Sequence, residues 1–185
     1  MGTLLGFAPF VAFALVERWL GIFPGLLAGA VVVAVLLVRA RIRGQTPKLL
    51  ELGSLILFGG LAIYSAVRGP SWSIVGVRLA VDVGLLIIIV ASLALRRPFT
   101  LQYAREQVPR EVWAHPLFTR VNYLITAVWA LALVVIVSAD LIFVYLPQIP
   151  FLYGIVGTAA ALIAATLFST LYPKRVRERF RAQQP

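Results

Sequence analysis

IVGVRLAVDVGLLIIIVASLAL, residues 74–95, carries Arg78 and Asp82 as its only ionisable side chains. Coiled as a helix at about 1.5 Å per residue, a run of this length crosses a hydrocarbon core of about 30 Å. Outward from it, comparable apolar runs occupy residues 20–38, 49–67, 121–146 and 151–172, and a shorter one at 2–16 ends in Glu17 and Arg18. The pattern predicts an all-α, polytopic transmembrane helical bundle. Five segments span, and the short N-terminal hydrophobic helix brings the count to six, as a thin span or a re-entrant helix. Residues 1–173 read as a single transmembrane domain and 174–185 as a basic cytoplasmic tail.

Composition agrees with this class. The 185 residues are 61% hydrophobic and 13% charged, with a mean hydropathy of +0.95, whereas soluble domains are about one quarter charged. The net charge of +10 does not point to nucleic acid, because a DNA-binding face spreads Lys and Arg among polar and aromatic neighbours. Here the cations gather at the ends of apolar segments, where they set orientation and attract anionic lipid. With no cysteine, the chain offers neither a disulfide framework nor a thiolate. No Lys or Arg precedes Arg18, so the first segment lacks the basic start of a secretory signal and is expected to persist.

Three basic blocks fall on one side of the membrane. They are Arg39, Arg41, Arg43 and Lys48; Arg96, Arg97, Arg105, Arg110 and Arg120; and Lys174, Arg175, Arg177, Arg179 and Arg181. The positive-inside bias makes that side cytoplasmic, with the C-terminus inside and, if the first segment crosses, the N-terminus inside too. Thr46 with Pro47, and Pro70 with Ser71, read as helix starts, while Pro147 and Pro150 separate the last two helices. Trp19, Trp72, Trp113, Tyr123, Tyr145 and Tyr172 fall at headgroup depth and Trp129 inside the bundle. Residues 99–118 are too charged and too divided by Pro109 and Pro116 to cross. They predict an interfacial amphipathic segment resting Phe99, Leu101, Tyr103, Val108, Val112, Trp113, Leu117 and Phe118 on lipid.

Charges inside a span are expensive and mark structure or function. Asp82 lies about 16 Å into its helix, and Arg78, four residues earlier, is placed to pair with it. Asp140, about 9 Å from the outer end of its helix, lies at a depth comparable to that of Arg78, so that Arg78 is positioned to bridge both aspartates. The cluster reads either as a neutralised polar pin or as a proton or ion relay. Glu51 suits the first turn of its helix beside Lys48, and Glu17 with Arg18 reads as an interfacial helix end. Gly21, Gly25 and Gly29 form a small-residue ridge, as do Gly157, Ala161, Ala165 and Ser169. These two ridges are candidates for a mutual contact or for a homo-oligomer interface.

No constellation for catalysis emerges. His115 is the only histidine and has no second ligand nearby. There is no phosphate-binding glycine loop, no carboxylate-rich magnesium motif and no nucleophile elbow. Neither catalytic, metal nor cofactor-binding residues are expected.

The stretch LLGFAPFVAFALVERWLGIFPGLLAG resembles the opening of the bacterial intracellular septation protein A family. LILFGGLAIY, LRRPFTLQYARE and VPREVWAHPLFTRVNYLITAVWALAL resemble later stretches of that family in the same order. The resemblance implies a non-enzymatic inner-membrane protein of cell division, septation and envelope integrity, acting through division or wall-synthesis proteins. It singles out Phe58, Gly59, Gly60, Pro98, Trp113, Asn122 and Trp129 as packing or interface residues. The Arg-rich tail and the aromatic stretch before Asn122 depart from its pattern. Two other classes stand beside this expectation: a small ion-coupled carrier using Arg78, Asp82 and Asp140, and a membrane-embedded lipid enzyme.

Overall fold

Gly21 breaks the chain between its first two helices with φ +92°, a conformation that suits glycine, and a Cβ there would meet open space. Such punctuation divides a computed structural model that describes residues 5–68, 73–146 and 148–182. Among the described residues seven helices follow in order: α1 Ala8–Leu20, α2 Ile22–Ile42, α3 Leu49–Arg68, α4 Ile74–Ala94, α5 Phe99–Arg105, α6 Pro116–Tyr145 and α7 Phe151–Ala182. Helix makes up 85% of the described residues, and no strand occurs among them. Pro70, Ser71, Trp72 and Pro147 lie outside the described residues, as do the side chains of Arg179 and Arg181.

Local chemistry sets the visible boundaries. Ser73 caps α4 by accepting a hydrogen bond from the Gly76 amide at 3.1 Å. His115 does the same for α6, its Nδ1 accepting from the Leu117 amide at 3.2 Å, with Pro116 in the first turn. At the end of α4 the left-handed Arg96, φ +56°, turns the backbone so that the Arg97 amide reaches the Ser92 carbonyl.

Five helices, α2, α3, α4, α6 and α7, are long and apolar enough to cross a membrane. Their outward faces remain apolar: Ile56, Ile87, Ile163 and Leu167 are each more than half exposed. Such a belt needs lipid around it. By contrast α1 has 13 residues, about 20 Å of helix, less than the hydrocarbon thickness. Its contacts nonetheless reach both ends of the bundle. Gly6, just before it, lies against Tyr103 and Leu50, while Glu17, near its far end, meets Arg78. Thus α1 is a short sixth element running the depth of the bundle, with its start at the same end as α5.

Neighbouring helices pack in the order α1, α2, α3, α4, α6, α7, with α5 against α6 and α4. Lipid tails are as apolar as leucine, so close fit rather than expulsion from water must hold these helices together. Glycine notches provide it. A Cβ on Gly25 would stand 2.7 Å from the Glu17 Cβ and 3.0 Å from its backbone, and one on Gly29 would stand 2.8 Å from Phe58. Phe58, fully buried, stacks obliquely on Phe10 and Phe13 of α1 at 5.0 and 5.8 Å. Across the bundle Phe7 stacks on Trp129 at 4.5 Å.

The small-residue ridges therefore meet different partners from those expected. Gly25 and Gly29 receive α1 and α3, not α7, because α1 folds back into the groove beside α2. Gly21 is a turn, and Gly157 faces open space. Ala165 is buried in the cluster that contains Trp129, and Ala161 packs at its edge, so the α7 ridge is spent on α6.

Residues 99–118 also divide differently. Phe99, Leu101 and Tyr103 are buried in protein rather than resting on lipid. Hydrogen bonds from within the bundle draw α5 inward, as described below. Val112 remains exposed, while Trp113 is half-buried.

Candidate functional site

Two polar clusters stand out, one at each end of the bundle. At the end where α1 meets α4, Arg78 donates from Nε and Nη2 to the same Glu17 oxygen, at 3.2 and 2.8 Å. The Glu17 side chain is 2% exposed and the Arg78 side chain 40%. The carboxylate is thus locked in the protein while the guanidinium reaches outward. A cleft of about 440 Å³, lined by Glu17, Arg18, Trp19, Ile74 and Arg78, opens beside the pair. The expected Arg78–Asp82 pair gives way to Arg78–Glu17, because Gly25 leaves space for Glu17 to enter between α1 and α2. Matching depth carried that signal in the sequence: Glu17 lies one turn from the end of α1 and Arg78 one turn from the start of α4.

Deeper in, Asp82 of α4 and Asp140 of α6 lie close enough to interact electrostatically with each other and with Arg78. Asp140 Oδ2 is buried and has no hydrogen-bond partner among the described residues. Of the three carboxyl groups around Arg78, on α1, α4 and α6, the one in an ion pair with it among the described residues is Glu17. In a low-dielectric surrounding such groups interact more strongly than at a protein surface. Chemically the arrangement offers proton exchange or loose cation attraction. Among the described residues no group of three His, Asp or Glu is placed to ligate a metal.

At the opposite end Lys48, 7% exposed, lies between two carboxylates. Its Nζ is 3.3 Å from Glu51 Oε1 and 2.9 Å from Glu106 Oε1, and 4.8 Å from the Tyr103 ring centre. The Tyr103 hydroxyl donates to Glu51 at 3.4 Å. Burial and the adjoining Glu51 push the Tyr103 phenol up. Gln102 accepts from the Leu49 amide at 2.8 Å and donates to the Arg97 carbonyl at 3.1 Å.

Inside the same region the Thr100 hydroxyl lies 2.8 Å from the Asn122 carbonyl and 2.7 Å from the Thr126 hydroxyl. Ser92 accepts from the Phe99 amide at 3.2 Å. These bonds fasten the loop between α4 and α6 to three spanning helices. From the sequence, Lys48 and Glu51 were legible as a local pair, but Tyr103, Glu106 and Gln102 were not. They belong to a segment whose amphipathicity does not say whether protein or lipid covers it.

The residues singled out by resemblance distribute as follows. Asn122 is buried, its Nδ2 donating to the Phe118 carbonyl at 2.8 Å. Trp129 is buried and donates to Ser169 at 2.9 Å, while Ser169 in turn donates to the Ala165 carbonyl. Both are inward packing residues. Trp113 lies at the outer edge of the loop, with the guanidinium groups of Arg105 and Arg110 5.3 and 5.7 Å from its ring centre. Phe58 and Pro98 are fully buried, whereas Cβ atoms at Gly59 and Gly60 would meet nothing.

Fold and charges together define a multi-pass helical membrane protein with an ionisable cluster within its spans. No family model matches the chain, and no curated protein or solved structure is matched either.

Proposed function

We propose that the protein works by contact rather than catalysis, as a multi-pass component of the bacterial inner membrane supporting division and envelope synthesis. The observation that carries this reading is the anchored loop between α4 and α6. Ion pairs through Lys48, the Gln102 bridge and the Thr100–Thr126 bond hold it against the bundle. Trp113, flanked by Arg105 and Arg110, lies on its outer side. A pre-ordered basic and aromatic surface loses little entropy on docking a partner, and aromatic and Arg side chains are favoured at binding hot spots. The likeness of the quoted stretches to the septation family supports the same direction. On the positive-inside rule this face is cytoplasmic.

A second reading, an ion-coupled carrier, draws on the Glu17–Arg78–Asp82–Asp140 cluster and the cleft beside Arg78. The two readings part in one experiment. Cells lacking the protein are scored for septum placement and envelope leakage, then supplied with variants. Contact through the loop requires that charge reversal at Arg105 and Arg110 abolish rescue while Asp82→Asn restores it. The opposite pattern, with the loop variant rescuing and Asp82→Asn failing, would replace the contact reading with the carrier.

A further inference from the structure

One exposed face of α2 combines a groove with cations that no acid neutralises. Val31, Ala34, Val35, Val38 and Ile42 form the apolar floor of this shallow, open groove, and Arg39 and Arg43 flank one end. Ala34 is the small residue that opens the hollow among the valines. From Val31 to Arg43 the groove runs about 18 Å along the helix, close to the half-thickness of the hydrocarbon core, about 15 Å. Its floor therefore extends over one leaflet, and its arginines stand where that leaflet meets its headgroups. Among the described residues neither Arg39 nor Arg43 joins an ion pair, whereas the buried Lys48 and the partly exposed Arg78 do.

We infer that this face of α2 is a binding site for one anionic phospholipid, with an acyl chain along Val31, Ala34, Val35 and Val38 and the phosphate between Arg39 and Arg43. Guanidinium groups suit this task, since their donors match phosphate oxygens in pairs and their stems lie along apolar surface. Arginines in the last turn of a helix also complement its dipole, but that role needs neither the groove nor a particular lipid. The site is independent of the contact reading, because it lies on α2 and shares no residue with the loop.

The test is lipid retention measured by native mass spectrometry after extraction from bilayers of phosphatidylcholine mixed with phosphatidylglycerol. The expected result is one retained phosphatidylglycerol. In the double variant Arg39→Gln/Arg43→Gln its affinity falls about thirtyfold, or about 2 kcal/mol at roughly 1 kcal/mol per basic residue. Arg41→Gln, on the same helix but outside the groove, serves as the charge control and changes retention little. Ala34→Leu fills the hollow while keeping both charges and also lowers retention. All four positions are exposed, so folding is not at stake, and monodispersity on gel filtration checks it. Equal losses in the Arg41→Gln control and the double variant would reduce the site to general surface charge and overturn the inference. Undiminished retention in Ala34→Leu, or displacement of the adduct by inorganic phosphate, would likewise overturn it by removing the acyl chain from recognition.

Discussion

At the scale of single residues, the unequal exposure of Glu17 and Arg78 sets the cost of breaking their pair. Arg78→Leu leaves a carboxylate enclosed between helices, and stranding one member of a buried pair costs about 3–5 kcal/mol. Glu17→Gln leaves a guanidinium that already reaches outward, so its cost is nearer to that of one charged hydrogen bond, about 1.5–3 kcal/mol. Reversible unfolding in mixed micelles should rank the variants in that order, with Glu17→Gln/Arg78→Leu less damaging than Arg78→Leu alone. Equal losses would mean that the carboxylate is solvated. Tyr103 gives a pH signature. Its phenol is held up by burial beside Glu51, so it stays protonated in the folded protein above the ordinary tyrosine value of about 10. The unfolded chain loses its proton first, and stability should decline as pH rises beyond about 10. Tyr103→Phe should lessen that decline, and an unchanged alkaline limb would remove Tyr103 from its cause. Spacing along α4 points to Asp82 as the partner of Arg78; matched depth makes Glu17 a candidate too, but only the sideways placement of α1 decides for it.

At the scale of elements, the five long helices could be read from apolar length, since each must meet the same membrane thickness. Their neighbours could not. A glycine ridge says that something approaches closely but not what, and the ridge on α2 receives α1 and Phe58 rather than α7. Gly25→Ala should accordingly be among the most damaging small changes. Its Cβ would press on the Glu17 backbone, which cannot rotate aside, and a cost of at least about 1–3 kcal/mol follows from overpacking. Gly157→Ala meets no atom and should be neutral or stabilising by up to about 1 kcal/mol through helix propensity. Similar shifts for both in an unfolding titration would contradict the packing. The segment at 99–118 teaches the same lesson for amphipathic pieces. Apolar side chains at Phe99, Leu101 and Tyr103 require a covering, but only the hydrogen bonds of Thr100 and the one Ser92 accepts from the Phe99 amide determine that protein supplies it.

At the scale of the whole molecule, the start of α1, the start of α3 and the α4–α6 loop gather at one end, joined through Gly6, Leu50 and Tyr103. The Glu17–Arg78 pair and the start of α4 define the other. With no native cysteine, single substitutions report topology directly. Gln148→Cys, in the connection between α6 and α7, should react in intact cells with a membrane-impermeant maleimide, whereas Gln45→Cys and Gln107→Cys should react only after lysis. The reverse pattern would invert the orientation and place the basic loop outside the cytoplasm.

If this loop surface recognises a protein partner, as proposed, photocrosslinking in native membranes will capture that partner. A photoreactive amino acid replaces the exposed Val112, beside Trp113, and adducts are identified by mass spectrometry. Reproducible adducts to division or wall-synthesis proteins are expected, and they should disappear when Arg105 and Arg110 are reversed in charge. Adducts confined to lipid and to other copies of the chain would contradict the proposal.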